Sequence, residues 1–504
     1  MAKQMKKTHG IFSDFAQNDQ ANSSQKSIEG AISAINIVAI IAALTVVLGL
    51  VASCIFTAEQ MYIMRPLLAS GAVFSIFSYV LWFRVRANIF GEIGFIYMAL
   101  ALAYTILPGI TFLPMGFNFQ YGFDGQNFYV ASPQPEELGM HFWRHVLFIA
   151  GVVTGYLAVR GRALPLKPSN KNSTCRNGGI IAILIAIVGC CIFAVTLLSA
   201  PVTSYIEHYT RFDNLSWPLL HFVYLCLIFK SGGYFVLMAL LFSQYRRYRI
   251  LIFILVPTLC AYESIYSLGS RIETLTILLA FIGFYHYKVT PISMKKGIVY
   301  LSLLAVLFSG IEFARSYDYS LENVQYAATN EGIKQASEFG AVYNTSFHLY
   351  AERAQGNLPP RDWQMFFYEF ISLIPFLDHT TYHPQYWYAR NYFPIEVVPP
   401  QTMGVLADSA IWGGEFDLLI RSLLNGAIFA LLTRWFLRRR DKWWALTIYI
   451  YCYATCIMTL KYSVLYQLTP LIRIIVPTLL LTGILFSLQR TIHRFKAGFI
   501  KSVT

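Results

Sequence analysis

Charge is scarce in this chain. Asp, Glu, Lys and Arg make up 13% of its 504 residues, against about 25% in a soluble globular domain, which excludes an ordinary water-soluble fold. The signatures of soluble enzymes are missing too. No GxxxxGK[ST] loop, HExxH, GxSxG or Rossmann glycine fingerprint occurs, so the P-loop, zincin, serine-hydrolase and dinucleotide readings fall away. No DxD-like acidic pair stands where it would hold a nucleotide-sugar metal, which disfavours that kind of donor. The eight cysteines form no CxxC or Cys/His set, so neither a metal nor a cofactor is expected. Seven of them lie inside apolar runs and Cys175 in a polar loop, which leaves no external disulfide framework. The absence of an internal repeat removes the support that inverted transporter halves would need.

What is present is hydrophobicity: 56% of the residues are apolar and the mean hydropathy is +0.51. A bilayer core of ~30 Å takes about 20 apolar residues to cross, and such runs recur along most of the chain. The expectation is an all-α polytopic membrane protein with about twelve spans. They fall at 31–56, 66–83, 91–112, 140–159, 179–199, 217–243, 250–268, 271–287, 297–314, 416–437, 443–460 and 470–488. The domain plan is a polar tail over 1–30, spans one to nine over 31–314, a large loop over 315–415, the last three spans over 416–488 and a tail over 489–504. The first apolar run is too long for a cleaved signal peptide and reads as a retained span.

An even number of spans places both termini on one side. With the N-terminus in the cytoplasm, roughly two-thirds of the basic residues fall in cytoplasmic segments, as the positive-inside rule requires. The net charge of +13 is then an orientation signal reinforced by contact with anionic membrane lipids, and nucleic acid is not an expected partner. The location that follows is a bacterial inner membrane with the large loop on the periplasmic side.

That loop is not linker-like. "EGIKQASEFGAVYNTSFHLYAERA" (331–354) reads as an amphipathic helix ended near Gly356 and two prolines. "RDWQMFFYEFISLIPFL" (361–377) is aromatic enough to lie at the membrane interface, and "DHTTYHPQYWYARNYFPIEVVPP" (378–400) is too rich in proline and rings to be helix. Aromatic side chains such as Tyr386 and Trp387 suit the apolar faces of sugars, and they suit an interfacial belt equally well.

Cations should be rare at the outer ends of spans, yet five different spans carry one. At 1.5 Å of rise per residue, Arg271 lies about 26 Å from the cytoplasmic border at Lys288. Arg473 lies about 26 Å from Arg490, Arg421 about 26 Å from Arg438, Lys461 about 28 Å from Lys442 and Lys230 about 20 Å from Ser243. Singly, each is a snorkelling or ion-paired residue. Together, and with Arg390 in the loop, they suit a lipid phosphate or diphosphate, which Arg grips bidentately and Lys as a point charge. Such cations would also stabilise charge on a departing diphosphate. A base for an acceptor hydroxyl would come from Glu338, His348, Asp378, His379, His383, Asp408 or Glu415, each of which also fits a solvated or ion-paired surface role.

The order "LGSRIETLTILLAFIGFY", "ASEFGAVYNT", "FISLIPFL", "HPQYWYARNYF" and "MGVLADSAIWGGEFDLLIRSLLNGAIFALL" resembles the Wzy-type polymerases of lipid-linked oligosaccharide repeat units, a family that includes O-antigen and enterobacterial common antigen polymerases. The likeness covers Lys230 to Arg473, about half the chain. It implies a GT-C-like glycosyltransferase that moves a growing glycan from undecaprenyl diphosphate onto a new repeat unit at the periplasmic face, without metal. It also implies a polysaccharide chain-length regulator as a partner. Arg271 matches the family's span-opening arginine, Lys230 a basic residue of an earlier span and Arg473 an arginine of the last span. Glu338 has no secure counterpart. The related O-antigen ligases use a histidine in the corresponding loop, which keeps His379 and His383 as candidates. The competing functions are an O-antigen ligase and a lipid-linked oligosaccharide flippase or other transporter.

Overall fold

A computed structural model describes residues 43–115, 119–123, 126–131, 134–161, 178–199, 214–266, 271–293, 338–373, 383–392, 403–462 and 468–503, with a few single positions besides. Helices dominate. In chain order they are α1 (Ala43–Ile55), α2 (Ala58–Val85), α3 (Ile93–Met115), α4 (Pro135–Arg160), α5 (Gly179–Leu198), α6 (Trp217–Ser243), α7 (Ile252–Tyr266) and α8 (Arg271–Lys288). After these come α9 (Glu338–Gln355), the single turns α10 (Trp363–Phe366) and α11 (Tyr368–Ile371), α12 (Pro384–Tyr392), α13 (Val405–Trp412), α14 (Glu415–Arg439), α15 (Trp443–Ala454), α16 (Ile457–Lys461) and α17 (Val476–Val503). Between α3 and α4 the chain makes a short antiparallel hairpin, Phe119–Phe123 against Gln126–Ala131, with a bulge after Tyr121.

Among the described residues, seven helical stretches are long and apolar enough to cross a membrane: α2, α4, α5, α6, α14, α15 with α16, and the stretch Leu468–Ile492. Every expected span except the ninth coincides with a helix, but α1 and α3 have short apolar stretches, and α7 has only 15 residues. The ninth expected span, 297–314, lies almost wholly outside the described residues. Outward faces carry Phe193, Leu197, Phe253, Leu480 and Ile484 in the open, which a membrane-embedded chain tolerates because lipid is as apolar as they are.

In lipid, helices associate through close packing rather than through expulsion of water, so small residues decide which helices touch. The α4–α14 pair follows this rule. Gly151 and Gly155 on α4 meet Ser422 and Leu423 on α14, and a Cβ at Gly155 would run into the Leu423 carbonyl. One large core then unites α2–α4, α6–α8 and α13–α16 with the loop helices. A satellite core of Cys191, Val195, Val223 and Cys226 pins α5 to the N-terminal half of α6. Another, from Ile63, Leu67, Leu138, Phe142, Tyr343 and Phe347, docks the loop helix α9 onto α2 and α4.

The polar groups gather at two ends of the bundle. At one, the turn Arg86–Gly91 before α3 is held from several helices at once. Tyr287 of α8 and Tyr449 of α15 donate to the Gly91 carbonyl at 2.7 and 2.6 Å, and Tyr453 donates to that of Phe90 at 2.9 Å. Glu92 beside this turn accepts Arg160 Nε at 2.7 Å, Arg160 Nη2 at 2.8 Å and the Tyr156 hydroxyl at 2.5 Å. Lys288 and Arg434 donate to backbone carbonyls of Arg440 and Val159 at this same end. The other end holds the loop helices and the start of α14.

A cavity between helices as the candidate functional site

Four helical segments and the turn before α17 enclose a cavity of about 210 Å³, room for roughly seven waters. Its polar lining comes from Lys230, Ser231 and Tyr234 of α6, Glu263 of α7, Glu273 and Thr276 of α8, and Thr455 between α15 and α16. Phe235, Leu259, Ile277, Tyr451, Met458, Pro470 and Ile474 complete the wall.

Lys230 sits mid-helix and is buried. Its ammonium donates to Glu263 Oε1 at 2.6 Å and lies 5.3 Å from the centre of the Tyr262 ring. Two residues later Gly232 lets the turn before α17 approach, because a Cβ there would meet Thr478 and the Ile474 carbonyl. That turn is unusual. After Pro470 the chain makes one π-helical turn, Leu471–Ile475, before α17 begins. Wide turns of this kind displace one residue from the α-helical register and recur at functional sites. Here the turn carries Arg473, half-buried, between the cavity-lining Pro470 and Ile474.

Lys461 is buried at the end of α16, three residues past Met458. Arg271 is the first residue of α8, two before the cavity-lining Glu273; its side chain lies outside the described residues. Glu273 feels the charges of Glu263, Lys230 and Lys461. The elements that carry Lys230, Arg271, Lys461 and Arg473 are thus all walls of one cavity.

The fifth cation of the layer is elsewhere. Arg421 on α14 donates to Asp417 Oδ2 at 2.7 Å and to Asp408 Oδ2 at 3.0 Å. Burial pushes the Asp408 carboxyl up to about 6, against the pull of Arg421 and with help from Asp417. Nearby, Arg144 binds Glu415 at 2.8 Å and lies 4.0 Å from the centre of the Tyr350 ring. Two of the acidic base candidates, Asp408 and Glu415, are therefore held by arginines.

Of the loop candidates, His348 sits in α9 with Nδ1 2.8 Å from the Tyr388 hydroxyl and Nε2 3.7 Å from Glu352. Burial lowers it to about 4. The segment 378–400, expected to be non-helical, does form a helix over Pro384–Tyr392, because its proline sits at the first helical position, where no N–H is needed. His383 precedes this helix, α12, its ring 4.3 Å from that of Tyr368 and 5.5 Å from that of Tyr386, and burial lowers it to about 4 as well. Trp387 donates its indole N–H to the Pro360 carbonyl at 3.0 Å, and Arg390 is exposed on α12. Tyr368 belongs to α11, which is tied to the cavity side: Ser372 just after it lies 2.9 Å from the Thr469 hydroxyl, next to Pro470. Glu338 opens α9, with its side chain outside the described residues, and Asp378 and His379 lie outside them altogether.

Glu263 is the residue that sequence reasoning missed. The signal was available, since a carboxylate inside the apolar run "LCAYESIY" demands a partner at membrane depth, and Lys230 is that partner. Among the described residues no group of His, Cys, Asp or Glu is placed to hold a metal ion. Compared with known protein families, curated proteins and solved structures, the chain matches none.

Proposed function

We propose that this chain is a GT-C-like, metal-independent glycosyltransferase that polymerises lipid-linked oligosaccharide repeat units at the periplasmic face of a bacterial inner membrane. In this reading the chain crosses the membrane about twelve times with both termini in the cytoplasm, and undecaprenyl diphosphate carries the glycan. One observation supports the proposal: the cations Lys230, Arg271, Lys461 and Arg473 are carried by elements that all border one cavity, with Lys230 itself in the wall. Their role is to hold the donor diphosphate and to take up the charge that develops as it leaves. The mostly apolar pocket, with its few polar side chains, holds the sugar next to the bond that breaks. The loop aromatics around His383 and Tyr386 lie on the segment tied to the cavity lip and provide faces for the glycan beyond.

The test uses the full-length protein in liposomes supplied only with undecaprenyl-diphosphate-linked repeat units. Glycans longer than one unit should form, and Lys230→Ala should slow their growth about 100-fold. Undiminished growth in that variant would remove the cavity from the reaction. A second reading rests on the same cavity, because two carboxylates and a lysine facing a hole between helices also suit ion-coupled transport of a lipid-linked oligosaccharide. Movement of fluorescent lipid without elongation would select it. Transfer onto lipid A core but not onto a second repeat unit would make the chain an O-antigen ligase instead.

A further inference from the structure

We propose that Glu273 is the general base of the cavity, the group that takes the proton from the acceptor hydroxyl as the glycosidic bond forms; this rests on the glycosyl-transfer reading above. Two carboxylates line the cavity, and they differ in what already holds them. Glu263 is buried and fixed by the Lys230 ammonium at 2.6 Å, so its charge is spent on that pair. Glu273 is exposed, makes no ion pair and no hydrogen bond to another side chain among the described residues, and lines the cavity from the first turn of α8. A base must reach the proton within hydrogen-bond distance and must not be consumed by a cation. Of the two, only Glu273 meets that condition.

Its place relative to the cations fits the same step. Arg271 begins the helix about 3 Å of rise above it, Arg473 lies on the wide turn across the cavity, and Lys230 and Lys461 act on it electrostatically. The acceptor oxygen attacks the anomeric carbon of the donor sugar while its proton passes to the Glu273 carboxylate. The carbon–oxygen bond to the diphosphate breaks and its electron pair leaves on the diphosphate oxygen, facing the cations. Atoms and charge balance without a metal or a co-reactant. A single displacement of this kind inverts the configuration at the anomeric carbon.

The experiment is elongation by full-length protein in liposomes across a pH series. Wild type should show an acid limb in kcat/KM. Glu273→Gln should elongate about 100-fold more slowly or worse, lose that limb, and still retain undecaprenyl diphosphate in native mass spectrometry; Glu273→Asp should keep part of the rate. In wild type, dicyclohexylcarbodiimide, which modifies carboxyl groups in apolar surroundings, should label Glu273 and abolish elongation in step. These two wild-type readouts stand even if the variant does not fold. Wild-type rate and pH profile in Glu273→Gln, or full elongation by protein labelled at Glu273, would overturn the base role while leaving the polymerase reading intact. Wild type that binds the lipid but never elongates it would sink both.

Discussion

Glu92 and Arg160 form an ion pair of 2.7 Å in which each side chain is 1% exposed, whereas the 2.6 Å pair of Lys230 and Glu263 faces a cavity. The two pairs cost the fold the same kind of desolvation, and they repay it differently. Around Glu92 the remaining lone pairs are used: Arg160 binds both oxygens, Tyr156 adds a third bond, and tyrosines from α8 and α15 close the adjacent turn. A buried pair whose carboxylate is so fully bonded fixes which helices meet and in what register, although Arg160 Nη1 finds no partner among the described residues. Around Lys230 the ammonium donates to Glu263 and open volume follows, lined by Glu273, Thr276 and Ser231. A protein that wanted only stability would fill that space. The first pair is built as a clasp and the second as the wall of a cavity.

The strongest way to break this distinction is Arg160→Ala. It strands the Glu92 carboxylate where nothing replaces the guanidinium, and loss of one partner of such a pair costs about 3–5 kcal/mol. Unfolding followed in detergent should show that loss. Lys230→Ala should reduce elongation by about 100-fold, the scale expected when one charge-stabilising group is removed. It should cost only about 1 kcal/mol in the unfolding assay, because the cavity can admit water beside Glu263. Equal destabilisation by the two substitutions would erase the difference between clasp and site.

Acid should act on the loop end of the molecule, and two groups there pull in opposite directions. His348 is held neutral, its value lowered to about 4 by burial. Its contribution is therefore present above about 6.5, where the unfolded imidazole is neutral too, and is lost as pH falls toward 4. Between pH 7 and 5 that is about 2 kcal/mol, and His348→Gln should abolish this share of the acid sensitivity. Asp408 is raised to about 6, so its contribution is present in full below about 4 and is lost as pH rises through 6. Relative to Asp408→Asn, the unmodified protein should gain about 1 kcal/mol on going from pH 7 to 5. Unfolding midpoints across that range, compared among the three proteins, give both signs.

Much of the helix plan was legible because membrane spans are encoded locally. An apolar run of the right length must satisfy its own backbone hydrogen bonds, so α4, α5, α6 and α14 fall where the hydropathy places them. The expected cation layer rests on a related argument: a fixed rise per residue turns sequence distance into height along a helix. Partners were not legible. Arg421 stands at the same height as Arg271 and Arg473, yet Asp408 and Asp417 hold it on another face of the molecule. Height is a one-dimensional property, and nothing in it says which helices are neighbours.

The sequence by itself determined that this is a membrane-embedded helical protein with few charges within its spans, because lipid imposes that order one segment at a time. Only the tertiary structure decided that Lys230 would meet Glu263 thirty-three residues away, that the π-helical turn carrying Arg473 would border the same cavity, and that Glu273 would face it with no ion pair among the described residues. The physical reason is that lipid gives every helix the same apolar welcome, so choice of neighbour falls to small residues such as Gly155 and Gly232 and to the pairing of buried charge. Those are contacts between distant segments, and they exist only once the bundle has formed.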